Sequence, residues 1–129
     1  MKYRVRFDLR AGGGATEITL VCSKHRVTVD FGRWHHTGKA TIVTFQELSA
    51  VRHTHDSLFS CGVPSCSLVE IADSLWVRKL REAQQSNYPG STLPIGTHWA
   101  IKIDEFGLLE VVSRAIRVEQ DGLPVPLIA

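Results

Sequence analysis

Hydrophobic and polar residues alternate with a period of two along much of the chain. In residues 2–10, Tyr3, Val5, Phe7 and Leu9 interleave with Lys2, Arg4, Arg6, Asp8 and Arg10. This is the pattern of a strand with one dry and one wet face. Gly12, Gly13 and Gly14 supply a turn, since glycine reaches positive φ without steric cost. Residues 17–22 then read as a second strand, with Ile18, Leu20 and Cys22 on one face. Residues 26–31 alternate again, and residues 41–45 are β-branched and apolar, as a buried strand is. Between Gln46 and Arg52, the spacing of Leu48 and Val51 suits a helical turn as well as a strand. The clearest stretch runs from His98 to Val118. Trp99, Ile101 and Ile103 alternate with polar neighbours, Gly107 interrupts, and a second apolar run starts at Leu108. This predicts an antiparallel hairpin over 98–112 and a last strand over 115–118.

One segment has helical periodicity. Leu75, Trp76, Lys79, Leu80 and Ala83 lie at i, i+1, i+4, i+5 and i+8, opposite Arg78, Arg81, Glu82 and Gln85. That places one apolar stripe, with a lysine stem at its edge, on a helix of residues 73–86. Asp73 is a good N-cap, and the run Asn87-Tyr88-Pro89-Gly90 stops the helix. Upstream, Ser67 and Glu70 fit a capping box, so residues 67–71 read either as a strand or as a first helical turn. Asp121, Gly122, Pro124 and Pro126 suggest an extended tail over 120–129. The chain therefore reads as one α+β domain over residues 1–129. It is an antiparallel sheet or half-barrel of about six strands, with one main helix packed on one face.

Composition narrows the class. A chain of 129 residues with 43% hydrophobic and 22% charged residues can bury a core without metal or disulfide support. No apolar run approaches the ~18–20 residues that span a bilayer. The opening MKYRVRFDLR breaks the apolar core that a signal peptide needs. These features point to the cytoplasm and away from membranes. The three cysteines, Cys22, Cys61 and Cys66, are an odd count, which argues for reduced thiols. The net charge of +2 supplies no field strong enough to draw the whole molecule to nucleic acid.

Four groups of residues invite chemical readings. His53, His55, Asp56, Cys61 and Cys66 fall within a short stretch, and zinc takes tetrahedral imidazole and thiolate sets. The Cys-x4-Cys spacing lacks a second pair at a distance, so the reading is no metal and no cofactor. Zinc on His53, His55, Cys61 and Cys66 is the alternative. The same thiols with a histidine and Asp56 could form a nucleophilic set on paper. No nucleophile elbow surrounds them, and no catalytic residue is assigned. His98 stands alone and reads as a hydrogen-bonded sheet residue, while Asp104, Glu105 and Glu110 read as acids at or near a hairpin turn. Arg4, Arg6 and Arg10 share the polar side of the first strand, with Arg26 on a candidate neighbour. Stacking aromatics are missing from that side, which disfavours nucleic acid and leaves an acidic protein surface as the partner. Partner-binding candidates are accordingly Arg4, Arg6, Arg10, Trp34 and His35. An exposed hairpin edge could also pair with a second copy of the chain.

Three segments carry a resemblance to a known group. TFQELSAVRHTHDSLF, SLVEIADSLWVRKL and THWAIKIDEFGLLEVVS fall in this order. They resemble small bacterial immunity proteins encoded beside polymorphic and contact-dependent toxins. The matching positions are Phe45, Val51 and Arg52; then Val69, Glu70, Asp73, Ser74 and Trp76; then His98, Ile101, Asp104, Glu110, Val111 and Val112. The resemblance implies a non-enzymatic protein that neutralises a cognate toxin by occluding it. It carries over no catalytic residues. Many nuclease-directed members of that group are acidic, whereas this chain is slightly basic. The expected function is thus toxin neutralisation by protein–protein contact. A metal- or nucleic-acid-binding module using the 53–66 cluster or the N-terminal arginines is the alternative.

Overall fold

The computed structural model describes residues 2–9, 19–33, 40–55, 63–64, 66–103 and 106–128. The elements run β1 (Lys2–Asp8), β2 (Thr19–Cys22), β3 (Arg26–Arg33), β4 (Ala40–Thr54), β5 (Ser67–Ala72), α1 (Leu75–Asn87), β6 (Thr97–Ile103), β7 (Gly107–Gln120) and β8 (Leu123–Val125). All strands join one antiparallel sheet in the order β1-β5-β6-β7-β4-β3-β2, with β8 also on β7. The fold is an antiparallel sheet with one helix, as alternation predicts. Among the described residues it has eight strands, not about six, and its strand path is open with β1 and β2 at the ends, not a half-barrel.

The extra strand pairing comes from three places. The ambiguous residues 46–52, with His53 and Thr54 beyond them, extend β4 to 15 residues. The hairpin arm and the last strand merge into one 14-residue β7. The expected tail folds back as β8, through Asp121 and Gly122, whose φ angles of 51° and 78° make the two-residue turn that matches strand twist. Beyond β8, the Ile128 N–H donates to the Arg6 carbonyl at 2.8 Å, so the C-terminal segment also secures β1.

The middle strands are buried on both faces. The main core gathers Leu9, Val27, Phe31, Phe45, Leu68, Trp99, Ile101, Leu109 and Val111 among others. A second cluster joins Val63, Val69, Ile71, Ala100 and Leu108, with Val5 against it. The strict alternation expected of β1 does not survive, because its register on β5 shifts between Val5 and Phe7. Val5 consequently packs with the second cluster and Phe7 with the main core. A bulge of this kind bends the strand and re-aims its side chains.

Helix α1 also departs from expectation. Its half-buried residues are Trp76, Val77, Leu80 and Gln84, and none of its residues is fully buried. Leu75, Lys79 and Ala83 of the expected stripe are exposed, Leu75 at 59%. The helix is held at its ends instead. Ser74 caps the start, accepting from the Val77 N–H at 3.1 Å. At the far end the side-chain amides of Gln84 and Gln85 donate to the carbonyls of Leu93 and Ser91 at 3.0 and 3.3 Å.

Gly96, just before β6, has φ of +118°, and a Cβ there would lie 2.4 Å from the Ser113 carbonyl oxygen. Gly90 has φ of +87° with nothing within 4 Å. Gly96→Ala is therefore expected to destabilise the fold by about 3 kcal/mol or more. Gly90→Ala should cost about 1 kcal/mol, the left-handed penalty alone. Urea unfolding of the two variants checks this ordering, and equal costs would contradict the close approach at Gly96.

Candidate functional site

A polar chain crosses the second face of the sheet beneath the start of α1. It begins with Glu110 on β7, which is 4% exposed. A buried carboxylate is costly unless paired and hydrogen-bonded. Glu110 has two strong partners. Arg52, its cross-strand neighbour on β4, donates through Nε to Oε2 at 2.7 Å and through Nη2 to Oε1 at 3.0 Å. His98 on β6 sits diagonally across from it, and its Nε2 lies 2.9 Å from Oε1. Ala100, the residue directly opposite Glu110 on β6, is small and leaves room for the carboxylate.

The chain continues to the helix. His98 is 4% exposed, and its Nδ1 lies 2.7 Å from Ser74 Oγ. An ionised carboxylate only accepts, so Nε2 carries the proton facing Glu110. In the neutral imidazole the Ser74 hydroxyl then donates to Nδ1. The same hydroxyl oxygen accepts from the Val77 N–H, so Ser74, both ring nitrogens of His98 and both oxygens of Glu110 are engaged. Trp76 closes the cluster. Its ring stands edge-on to His98 at 5.1 Å and 82°, and the Arg52 guanidinium lies 4.1 Å over its centroid, a cation–π distance.

Burial pushes the Glu110 carboxyl up, but hydrogen bonds from His98 and Arg52, with the charges of both, outweigh it and hold the pKa at about 2 against an ordinary 4.5. Asp73, between β5 and the cap, adopts φ of +50°, a left-handed conformation that aspartate tolerates better than most residues. It turns the backbone so that Ser74 reaches His98.

The order Ser–His–Glu is that of a hydrolytic relay, yet three features favour tying over activation. Ser74 Oγ is engaged as a helix cap. The imidazole is sealed from solvent. Both Glu110 oxygens are already engaged by Arg52. Two shallow clefts flank the chain. One of about 390 Å³ lies towards Lys2, Arg52 and Trp76, and one of about 410 Å³ lies towards Glu70, Arg78 and Arg81.

The residues singled out from sequence fare differently. Arg4 and Arg6 are not a free outward stripe. Both bond Glu70, Arg4 at 3.1 Å, because β1 pairs with β5 and sets Arg4 opposite Glu70. Arg6 also donates to the Ile128 carbonyl at 2.6 Å and lies 5.7 Å over the Trp99 ring. Arg26 is far along the strand order, on β3, and does not extend that face. His53 lies on β4, its ring tilted against Phe106 with centroids 4.4 Å apart and Nε2 2.7 Å from the Phe106 carbonyl. Cys66 is half-buried against the main core. Among the described residues no group of three or more His, Cys, Asp or Glu is placed to hold a metal. Arg10, Trp34, His35 and Cys61 lie outside the described residues. Glu110 and His98 prove to be buried partners, and the turn role expected for Glu110 is corrected.

Comparison with known protein families, with curated proteins and with solved structures finds no match to this chain.

The folded-state pKa of Glu110 lies below its unfolded value. Its contribution to stability is therefore complete above about pH 4.5 and lost as pH falls towards 2; it is on the order of 3 kcal/mol. Glu110→Gln is expected to be less stable at pH 7 by roughly 2–4 kcal/mol and to lose this part of the acid dependence. Urea unfolding as a function of pH checks it, and parallel curves for the two proteins would show that Glu110 does not carry the effect.

Proposed function

We propose that this protein is a cytoplasmic binding module of the immunity type, which neutralises a bacterial toxin by occluding part of its surface. One observation supports the reading above the others. Arg52, Ser74, Trp76, His98 and Glu110 are positions that carry the resemblance, and they come from three segments far apart in sequence. They meet in one hydrogen-bonded cluster. Matches due only to generic strand composition have no reason to converge on a shared polar network.

The form of the network agrees with a binding role. Its donors and acceptors satisfy one another and fix α1 on the sheet, so the cluster shapes a surface. The nucleic-acid alternative gains nothing from Arg4 and Arg6, whose charges are engaged by Glu70.

The test is co-expression with the toxin domain encoded beside this chain's gene. Restored growth and an equimolar complex on gel filtration are the expected results. Undiminished killing, with the two proteins eluting separately, would refute the proposal. Stoichiometric zinc in the purified protein would instead support the metal alternative.

A further inference from the structure

A 13-residue helix is marginal in water, and in most proteins an apolar face buried on the core holds it. Helix α1 buries no residue fully and is tethered at its ends. Its outward side is thereby freed from packing duties. On the sheet, Arg4, Arg6, Arg52 and Arg117 each meet a carboxylate, while Lys2, Arg26, Lys102 and Arg114, scattered over four strands, are in no ion pair among the described residues. Arg78, Lys79 and Arg81 are exposed on α1, and none of the three is in an ion pair among the described residues.

Arg78 and Arg81 form a ridge between two hollows. One is the cleft towards Asp73, Ser74 and Thr97, and the other is lined by Glu82, Gln85 and Ser86. The free acids nearby are Asp73 and Glu82; Glu70 is occupied by Arg4 and Arg6. Within α1, three cations face one carboxylate, an excess equal to the net charge of +2 on the whole chain. Leu75 at the start of α1 is 59% exposed, and Leu93, which lines a hollow with Gln84 and Tyr88 at the far end of the helix, is 64% exposed.

We infer that the outward face of α1, centred on Arg78, Lys79 and Arg81, is the docking surface, and that its occupant is an acidic protein surface with an apolar anchor. The inference rests on the binding role proposed above and names the partner's chemistry. Unpaired cations attract carboxylates and speed encounter, while exposed leucines supply the desolvated contacts that give affinity. The exposed leucines favour a protein over a polyphosphate, whose backbone offers them no apolar contact.

Two arms test this with the full-length protein. In the first, the 15N-labelled chain is titrated with a twelve-residue peptide repeating Leu-Glu-Glu, a Leu-Lys-Lys counterpart and a short DNA duplex. Amide shifts confined to residues 74–93 with the acidic peptide alone, abolished by about 0.5 M salt, support the inference. No response to the acidic peptide, shifts centred elsewhere, or tighter binding of the duplex on this face overturns it. In the second arm, R78E/K79E/R81E and R78Q/K79Q/R81Q are compared with K24E/R26E in the toxin co-expression assay. Both helix variants should keep the wild-type unfolding midpoint and weaken the complex by about 30-fold or more, with K24E/R26E unchanged. If the wild-type chain binds the toxin and the helix variants bind equally well, the surface is wrong while the function stands. If the wild-type chain does not bind the toxin, the function fails, and the peptide arm still decides the surface.

Discussion

The carboxylate of Glu110, held inside the sheet between Arg52 and His98, is the constraint around which the helical side of the molecule is arranged. Removing a carboxylate from water is favourable only when strong, well-aligned donors replace the solvent, and these donors come from different strands. The register of β4 on β7 makes one of them available. Leu48 pairs with Ser113, but beyond the shift Ala50 pairs with Val112 and Arg52 with Glu110. Without the extra residue on β4, Val51 would stand opposite Glu110 and Arg52 opposite Leu109. The register shift between Leu48 and Ala50 is therefore a condition for the ion pair. From His98 the constraint passes to Ser74, so the cap of α1 is set by a charge on the far side of the imidazole.

Much of the sheet is legible from local alternation, because a strand with one dry face declares itself every second residue. The segment at 26–31 and the hairpin near 98–112 follow that rule; the first strand does so only until its register shift between Val5 and Phe7, and 41–45 is legible instead as an apolar, β-branched run. The length of a strand is a different matter, since it depends on its partner. β4 and β7 pair from Thr41 to Thr54, and each stabilises in the other a stretch with no clean alternation of its own. The return of the chain as β8 does have a local signal. Asp-Gly is a two-residue hairpin turn, and Pro124 sits on a strand at the margin of the sheet, where a missing N–H is tolerated. The proline pair suggests an extended tail and conceals that turn.

The polar cluster is less legible for a related reason. His98 reads correctly as a hydrogen-bonded sheet residue, but neither its carboxylate nor its hydroxyl can be identified from spacing. Their juxtaposition depends on long-range register, and a shift of one residue changes every cross-strand pair. The N-terminal arginines show the same effect in reverse. Arg4 and Arg6 read as a free basic stripe until β1 is placed against β5, which sets Glu70 beside them. Helix α1 misleads through its composition. Its apolar residues suggest a buried stripe, yet only three of them, Trp76, Val77 and Leu80, are half-buried, beside the polar Gln84.

These features separate the residues that fix α1 in place from those that face outward. The start of α1 is anchored by Ser74 and Trp76, and its end by Gln84 and Gln85. Residues between the anchors contribute little to the core. Substitutions at Glu110 or His98 act on buried, strongly coupled groups and disturb the whole strand-to-helix junction. Substitutions at Arg78, Lys79 or Arg81 act on exposed side chains whose loss leaves no buried group unsatisfied, and such changes usually alter stability little. A helix fixed at both ends and unburied along its length can therefore change its outward residues without changing its position. That is the physical requirement for a surface matched to one partner on a scaffold held constant by its buried polar chain.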